Sequence, residues 1–402
     1  MNDSLRTYGQ YRIVRILLGA YLLVHFLHLL PWGAEVFARG GTIAQAQLSP
    51  LMGVLPNPLA LSDAPWMVTL LLSAGIVGAI ALIVGRASRI AAVLVACVLA
   101  WLYARNPLIA NPALPVVGWM MLFHACLPLP RTLEDRVAWR VPQPMVVASW
   151  VLLAVAYTYS GYTKLLSPSW VSGDAIAYVL QNPLARDHVL RAWLADQEGL
   201  LRALTWGVLY LELAFAPLAL SSRLRPWLWL GMLGAQFGFL AFLRFADLTF
   251  PMLLIHLLTF DPRWVRGSVT QATLYYDGEC GFCHRLVRQA ALEDARGLIR
   301  FAPLQGRDAA EKSLALPTRG AGDSIVLLAA DGNVAMRSDA VIEILLRLGG
   351  LWTAIGAALI LVPRPLRDAA YNGVGRVRRF LSPRPETWCP VLPASVQARW
   401  LA

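Results

Sequence analysis

From Ile13 to Phe260 the chain alternates long apolar runs with short polar breaks that carry arginine; beyond Gly267 that alternation stops. A helix needs roughly 20 apolar residues to cross a bilayer, with a range of about 17–25. Ile13–Leu30, Trp66–Val84, Met145–Tyr162, Leu204–Leu220 and Trp227–Phe245 meet that length. Ile90–Tyr103, Pro115–Leu129 and Leu248–Phe260 are shorter, and read as tilted, partly re-entrant or flank-extended segments. The pattern predicts about eight spans, and about six if the short runs do not cross.

The pattern after Gly267 has a different period. Thr273–Tyr276 is β-branched, aromatic and apolar, and Asp277-Gly278 breaks it. A helix is predicted from His284 to about Ala295, with Leu286, Val287, Ala290 and Ala291 as its apolar face. Ile299–Leu304 and Ser324–Leu328 read as strands, and Asp331-Gly332-Asn333 as a turn into a further strand, Val334–Arg337. Ala340–Leu348 reads as a helix. The order βαβ…ββα is that of a thioredoxin fold. The expected architecture is an α-helical polytopic membrane domain over residues 1–262 and a small α/β thioredoxin-like domain over 267–402.

Composition agrees with a bilayer. The 402 residues are 57% hydrophobic and 15% charged, where a soluble domain carries about 25% charged residues. The net charge of +11 lies in short clusters between apolar runs, a distribution that argues against nucleic acid and for topology signals. Arg6, Arg12 and Arg15, then Arg86 and Arg89, then Arg131, Arg136 and Arg140, then Arg223 and Arg225, and finally Arg263 and Arg266 occupy every second loop. The opposite short loops hold little more than Arg39, Arg105 and Arg244. This predicts a multi-pass plasma-membrane protein with both termini and the C-terminal domain cytoplasmic. Ile13–Leu30 is long for a signal peptide and lacks a small-x-small exit, so it reads as the first span.

Ionisable residues within spans mark a function or a structural pair. Glu212 lies mid-run in Leu204–Leu220, and His25, His28, His124 and His256 lie in other runs, where a polar contact between helices accounts for each histidine. Lys164 stands out because the chain holds only two lysines, Lys164 and Lys312, and otherwise uses arginine. A lysine at a span end supplies an ammonium of tunable basicity, or an anchor that snorkels to the interface. Helix rise places Glu212 about 12 Å deep from the side on which Lys164 emerges, so the two could meet as an ion pair or an acid–base site. The run Tyr159-Ser160-Gly161-Tyr162-Thr163-Lys164-Leu165, followed by Pro168-Ser169-Trp170-Val171-Ser172-Gly173, resembles the horizontally transferred transmembrane domain shared with vitamin K-dependent γ-glutamyl carboxylases. The resemblance covers residues 1–262 and implies a catalytic-base position at Lys164, though the Lys-to-Trp spacing is one residue longer and no large lumenal domain is present.

Cys280 and Cys283 form the one close pair among five cysteines. Cys97 and Cys126 lie in apolar runs and read as small buried hydrophobes, and Cys389 stands alone. Two cysteines at i, i+3 on the first turn of a helix can close a disulfide, and the helix N-terminus favours a thiolate on the first. Cys280 is then the nucleophile and Cys283 the resolver. Three other readings compete: a CxxCH haem site, a zinc site recruiting His284 and Cys389, and a structural pair without redox chemistry. Tyr276-Asp277-Gly278-Glu279-Cys280-Gly281-Phe282-Cys283 resembles the DCC thiol–disulfide oxidoreductase family, named for Asp-x-x-Cys-x-x-Cys. Asp323-Ser324, Ser338-Asp339-Ala340, Val362-Pro363, Arg367-Asp368, Tyr371, Cys389-Pro390-Val391-Leu392-Pro393 and Arg399 extend the resemblance over about residues 272–400. It implies that Asp277 belongs to the site and tunes proton transfer. No proline precedes the Ser324 strand, so thioredoxin's substrate-binding geometry is not implied.

Leu351–Val362 is too short to span and reads as a buried or membrane-facing helix. Arg364, Arg367, Arg376, Arg378 and Arg379 after it are either a solvated basic face or a contact with anionic lipid. The function expected is membrane-anchored thiol–disulfide exchange on a protein or small-molecule disulfide. No metal and no obligatory cofactor is implied beyond the dithiol, and a quinone is a carrier that would serve. The alternative is a membrane-domain enzyme acting on a lipid-soluble or peptide substrate, with the CxxC module as its redox partner or sensor.

Overall fold

The computed structural model describes residues 6–244, 246–311, 325–377 and 393–401. The chain divides into two compact units.

The larger unit comprises residues 13–128 and 144–260 and is helical. Four helices are long and apolar enough to cross a membrane: Tyr8–Phe37, Pro65–Val84, Ser88–Arg105 and Gln143–Leu165. Their shared core includes Leu22, Phe26, Leu72, Val95, Met121 and Leu153. The other expected spans take other forms. Leu114–Cys126 and Ala246–Thr259 are helices of 13 and 14 residues. Arg225–Phe242 has 18 residues but carries Arg225, Gln236 and three glycines, which lower its apolarity.

The expected span Leu204–Leu220 is broken: one helix, Glu198–Leu213, ends before Ala214, and a short one follows over Phe215–Ala219. Pro217 is the cause, because its ring clashes with the carbonyl four residues back, that of Leu213. The freed N–H of Ala216 donates to Thr158 Oγ1 at 2.9 Å. Arg105, read from sequence as a loop cation, ends the helix Ser88–Arg105 fully buried. It donates to the carbonyls of Ala38 and Ile43 and lies 3.5 Å from Asp63.

The second unit comprises residues 261–402 with residues 1–12 and 129–143. Its mixed sheet has strands β1 (Ala272–Tyr276), β2 (Ile299–Pro303), β3 (Val326–Ala329) and β4 (Val334–Met336), in the order β2-β1-β3-β4. β1 runs parallel to β2 and antiparallel to β3, and β4 returns antiparallel to β3. Every residue of β1 is buried, as expected of a strand covered on both faces. The helix Gly281–Glu293 connects β1 to β2, and Arg337–Leu348 follows β4. Leu274, Tyr276, Val287, Ala291, Phe301 and Ile344 belong to the core between them. Leu286 departs from the expected apolar face: it is 50% exposed, while Cys283, Val287, Ala290 and Ala291 are buried.

Two segments remote in sequence complete this unit. Trp139 packs its ring on Tyr8 and Tyr11, and Glu134 accepts from Ala394 N and Ser395 Oγ, both at 2.6 Å. At the C-terminal end Leu401 and Arg399 pair with Phe301 of β2, and Arg399 closes on the buried Asp294 at 2.7 Å.

Candidate active site

β1 delivers the chain to a tight turn, and the turn delivers it to a helix. Asp277 Oδ1 accepts the Glu279 N–H at 3.0 Å, the bond that lets an aspartate hold a turn with its own side chain. Gln305, just beyond β2, donates to the same oxygen at 3.2 Å and accepts the Gly278 N–H at 2.9 Å. The Cys280 N–H donates to the Asp277 carbonyl at 3.2 Å. Asp277 is thereby fixed one turn before the first cysteine.

Cys280 is the N-cap of the helix Gly281–Glu293, with extended φ and ψ. Its Sγ accepts the backbone N–H of Cys283 at 3.3 Å, the place a serine or aspartate oxygen takes at other helix starts. Negative charge on that sulfur meets an N–H and the positive end of the helix together. The two cysteines are 7% and 3% exposed, and no disulfide joins them.

His284 turns away from the sulfurs. Its Nε2 lies 2.9 Å from the Gly278 carbonyl, which only accepts, so that nitrogen carries the hydrogen. Its ring stands edge-on to Tyr276. Burial lowers the His284 pKa, against smaller upward pulls from the Gly278 carbonyl and Asp277. Among the described residues no group of three His, Cys, Asp or Glu could hold a metal. Cys389, weighed as a zinc ligand, lies outside the described residues. Cys97 is half-buried and Cys126 exposed, so the expectation of a buried Cys126 is corrected.

Beside Cys283 lies a cavity of about 320 Å³ bordered by Phe282, Leu286, Ile342, Leu359 and Val374. Its polar neighbours already have partners: Ser338 Oγ donates to Asp368 at 2.5 Å, Arg367 pairs with Asp339 at 2.9 Å, and the Tyr371 hydroxyl accepts the Ile325 N–H at 3.0 Å. The Ser338 bond holds the Asp368 carboxyl below its usual pKa. Arg364 also reaches Asp339, at 3.1 Å. Arg367, read from sequence as solvated or lipid-facing, is therefore held within the module, while Arg364 pairs with Asp339 and stays exposed, as the solvated reading expects. The hydrophobic cavity itself was not anticipated, because Leu286, which borders it, reads in the sequence as part of the helix's buried face.

In the larger unit the structure brings Lys164 and Glu212 together at 2.6 Å, with Ser160 Oγ 2.7 Å from the same ammonium. The Trp170 ring lies 4.9 Å from Lys164 Nζ. Gly161 makes this approach feasible, since a Cβ there would meet Leu213 N at 2.6 Å. His25 contacts Asp247 at 3.1 Å, whereas His28 is exposed; His124 and His256 are buried.

The model of the DCC1-like thiol–disulfide oxidoreductase family matches residues 274–384. The uncharacterized protein YuxK of Bacillus subtilis is 31% identical over 138 residues, which are 33% of this chain and 96% of YuxK. No solved structure matches the chain. The matched residues contain the turn, both cysteines, the last three residues of β1, strands β2 to β4 and the cavity beside Cys283. Through this module the chain belongs to the DCC1-like thiol–disulfide oxidoreductase family.

Proposed function

We propose that the chain is a membrane-anchored enzyme that exchanges disulfides through Cys280 and Cys283. The observation that carries this reading is the Cys283 N–H directed at Cys280 Sγ, 3.3 Å away at the start of a helix. In the reducing direction the Cys280 thiolate attacks one sulfur of a substrate disulfide. That S–S bond breaks, the departing sulfur takes up a proton, and a mixed disulfide remains. The Cys283 thiolate then attacks Cys280 Sγ, releasing the second substrate thiol. Two electrons and two protons pass to the substrate, and the chain keeps a Cys280–Cys283 disulfide. Asp277 is a proton carrier at the edge of this exchange, held in place by Glu279 N and Gln305.

The cavity beside Cys283 supports a protein or small-molecule disulfide flanked by an apolar group, because its walls offer hydrocarbon and its polar neighbours are already engaged. Membrane anchoring is supported by the four apolar helices, and a plasma-membrane setting with a cytoplasmic CxxC module by the arginine alternation. The test uses the full chain in lipid nanodiscs with a chemical reductant and a fluorogenic model disulfide. Turnover that Cys280→Ser abolishes supports the reading, and turnover that survives it refutes it. A reporter fused after Ala402 that is active only on the outer side would overturn the orientation.

A further inference from the structure

The larger helical unit carries a second cavity, of about 520 Å³ and open at the half-exposed Val155 and Tyr159, which disulfide exchange leaves unused. Its wall is apolar over Leu152, Val155, Phe239 and Met252, and polar where Lys164, Glu212 and Gln236 border it. Lys164 and Glu212 neutralise each other at 2.6 Å, so the polar part carries no net charge. Gln236 is different. It is 4% exposed, its Nε2 donates to the Tyr157 hydroxyl at 3.2 Å, and its Oε1 has no partner. Rotating the amide by half a turn exchanges the two ends and still leaves one without a partner. A buried polar atom in that state is costly, and a ligand that pairs with it removes the cost.

We propose that this cavity binds an uncharged, lipid-soluble molecule carrying one hydroxyl group, with the hydroxyl seated on the Gln236 amide. A hydroxyl both donates and accepts, so it satisfies either end of the amide. A carboxylate or an ammonium would bring an unpaired charge against the buried Gln236 amide, between apolar walls and an ion pair that is already balanced. The volume falls in the range of small-molecule sites, about 300–1,000 Å³. The apolar helices that form the unit place such a ligand's natural solvent, lipid, around it.

The test uses the full chain in phosphatidylcholine nanodiscs and radiolabelled decan-1-ol, with empty nanodiscs as the blank. Saturable binding is expected above the blank, and decane, decanoate and decylammonium should displace the probe at least about tenfold less well than unlabelled decan-1-ol. Gln236→Leu should weaken binding about tenfold without lowering the melting temperature, because the leucine relieves the unpartnered amide. Ala156→Phe, which fills the cavity and leaves the amide in place, should abolish binding. Uptake no greater than the blank, equal displacement by the charged probes, or undiminished binding in Ala156→Phe would each overturn the proposal. So would Gln236→Leu that melts earlier yet binds normally, since the amide would then be structural.

Discussion

The carboxylate of Glu293 accepts the backbone N–H of Gly9 at 2.9 Å, joining positions 284 residues apart. Glu293 ends the helix that Cys280 begins, and it is 3% exposed. Thr7 Oγ1 and Trp352 Nε1 donate to the same carboxylate. Gly9 is the second residue of the helix Tyr8–Leu29, so the carboxylate also meets the positive end of that helix. Next to it, Gln10 accepts the Leu351 N–H at 3.0 Å. Glu293→Ala would strand three donors, the buried Thr7 and Gly9 and the half-buried Trp352, at a cost of about 3 kcal/mol. The expected result is a marked fall in the melting temperature of the full chain. A second consequence concerns fragments: residues 261–402 alone lack residues 7–10 and should resist protease less well than the same fragment supplied with a peptide of residues 1–12. Equal protease resistance would show that Glu293 does not depend on those donors.

The N-cap geometry separates the two cysteines by role. Cys280→Ser should remove exchange altogether, because a serine hydroxyl does not ionise at neutral pH. Cys283→Ser should leave Cys280 able to attack and unable to be resolved, so mixed disulfides accumulate. Non-reducing electrophoresis after mild oxidation reads both. Equal trapping by the two variants would reverse or dissolve the assignment.

The elements of the module were legible because their signals are local. The apolar run before Asp277-Gly278, the i, i+3 cysteines and the Asp331-Gly332-Asn333 turn each lie within a few residues, and Gly332 adopts the positive φ of +85° that such a turn asks of it. That Lys164 and Glu212 could meet followed from helix rise. Long-range packing left no such trace. Nothing near Glu293 in the sequence points to Gly9, 284 residues before it, or to Trp352, 59 residues after it. Arg367 reads as part of a basic face until Asp339 is folded against it. The break at Ala214 was within reach, since Pro217 is plain in the sequence, but the apolar run across it outweighed the proline.

His284 makes the module sensitive to acid. Its folded pKa is depressed below the ordinary 6.5, first by burial. Below about pH 6.5 the unfolded chain therefore binds a proton that the folded chain refuses, and stability falls as pH drops. Denaturation midpoints taken from pH 7.5 to pH 5 should decline across that window. His284→Gln, which keeps a donor for the Gly278 carbonyl and removes the titration, should flatten the decline. An unchanged slope in the variant would assign the acid sensitivity elsewhere.

Lys164 and Glu212 are the clearest case in which removing two groups should do less harm than removing one. Lys164→Met leaves the Glu212 carboxylate, 5% exposed at its side chain, with no cation beside it, at a cost of about 3 kcal/mol or more. Lys164→Met combined with Glu212→Gln leaves no charge behind and should recover much of that loss. Gly161→Val should part the pair from the other direction, because its Cβ would press on the backbone of Leu213 and Glu212, which cannot swing aside as a side chain can. Melting temperatures of the three variants in lipid nanodiscs should therefore rank the double variant above both single ones. Disulfide exchange by the CxxC module should stay within about twofold of the parent in all three, since each tenfold change would require about 1.4 kcal/mol at the reacting sulfurs and none of these residues takes part in the exchange. A double variant that melts with the worse of the singles would mean that Lys164 and Glu212 act separately. A large loss of exchange in a variant that still folds would instead tie the helical unit to the thiol chemistry.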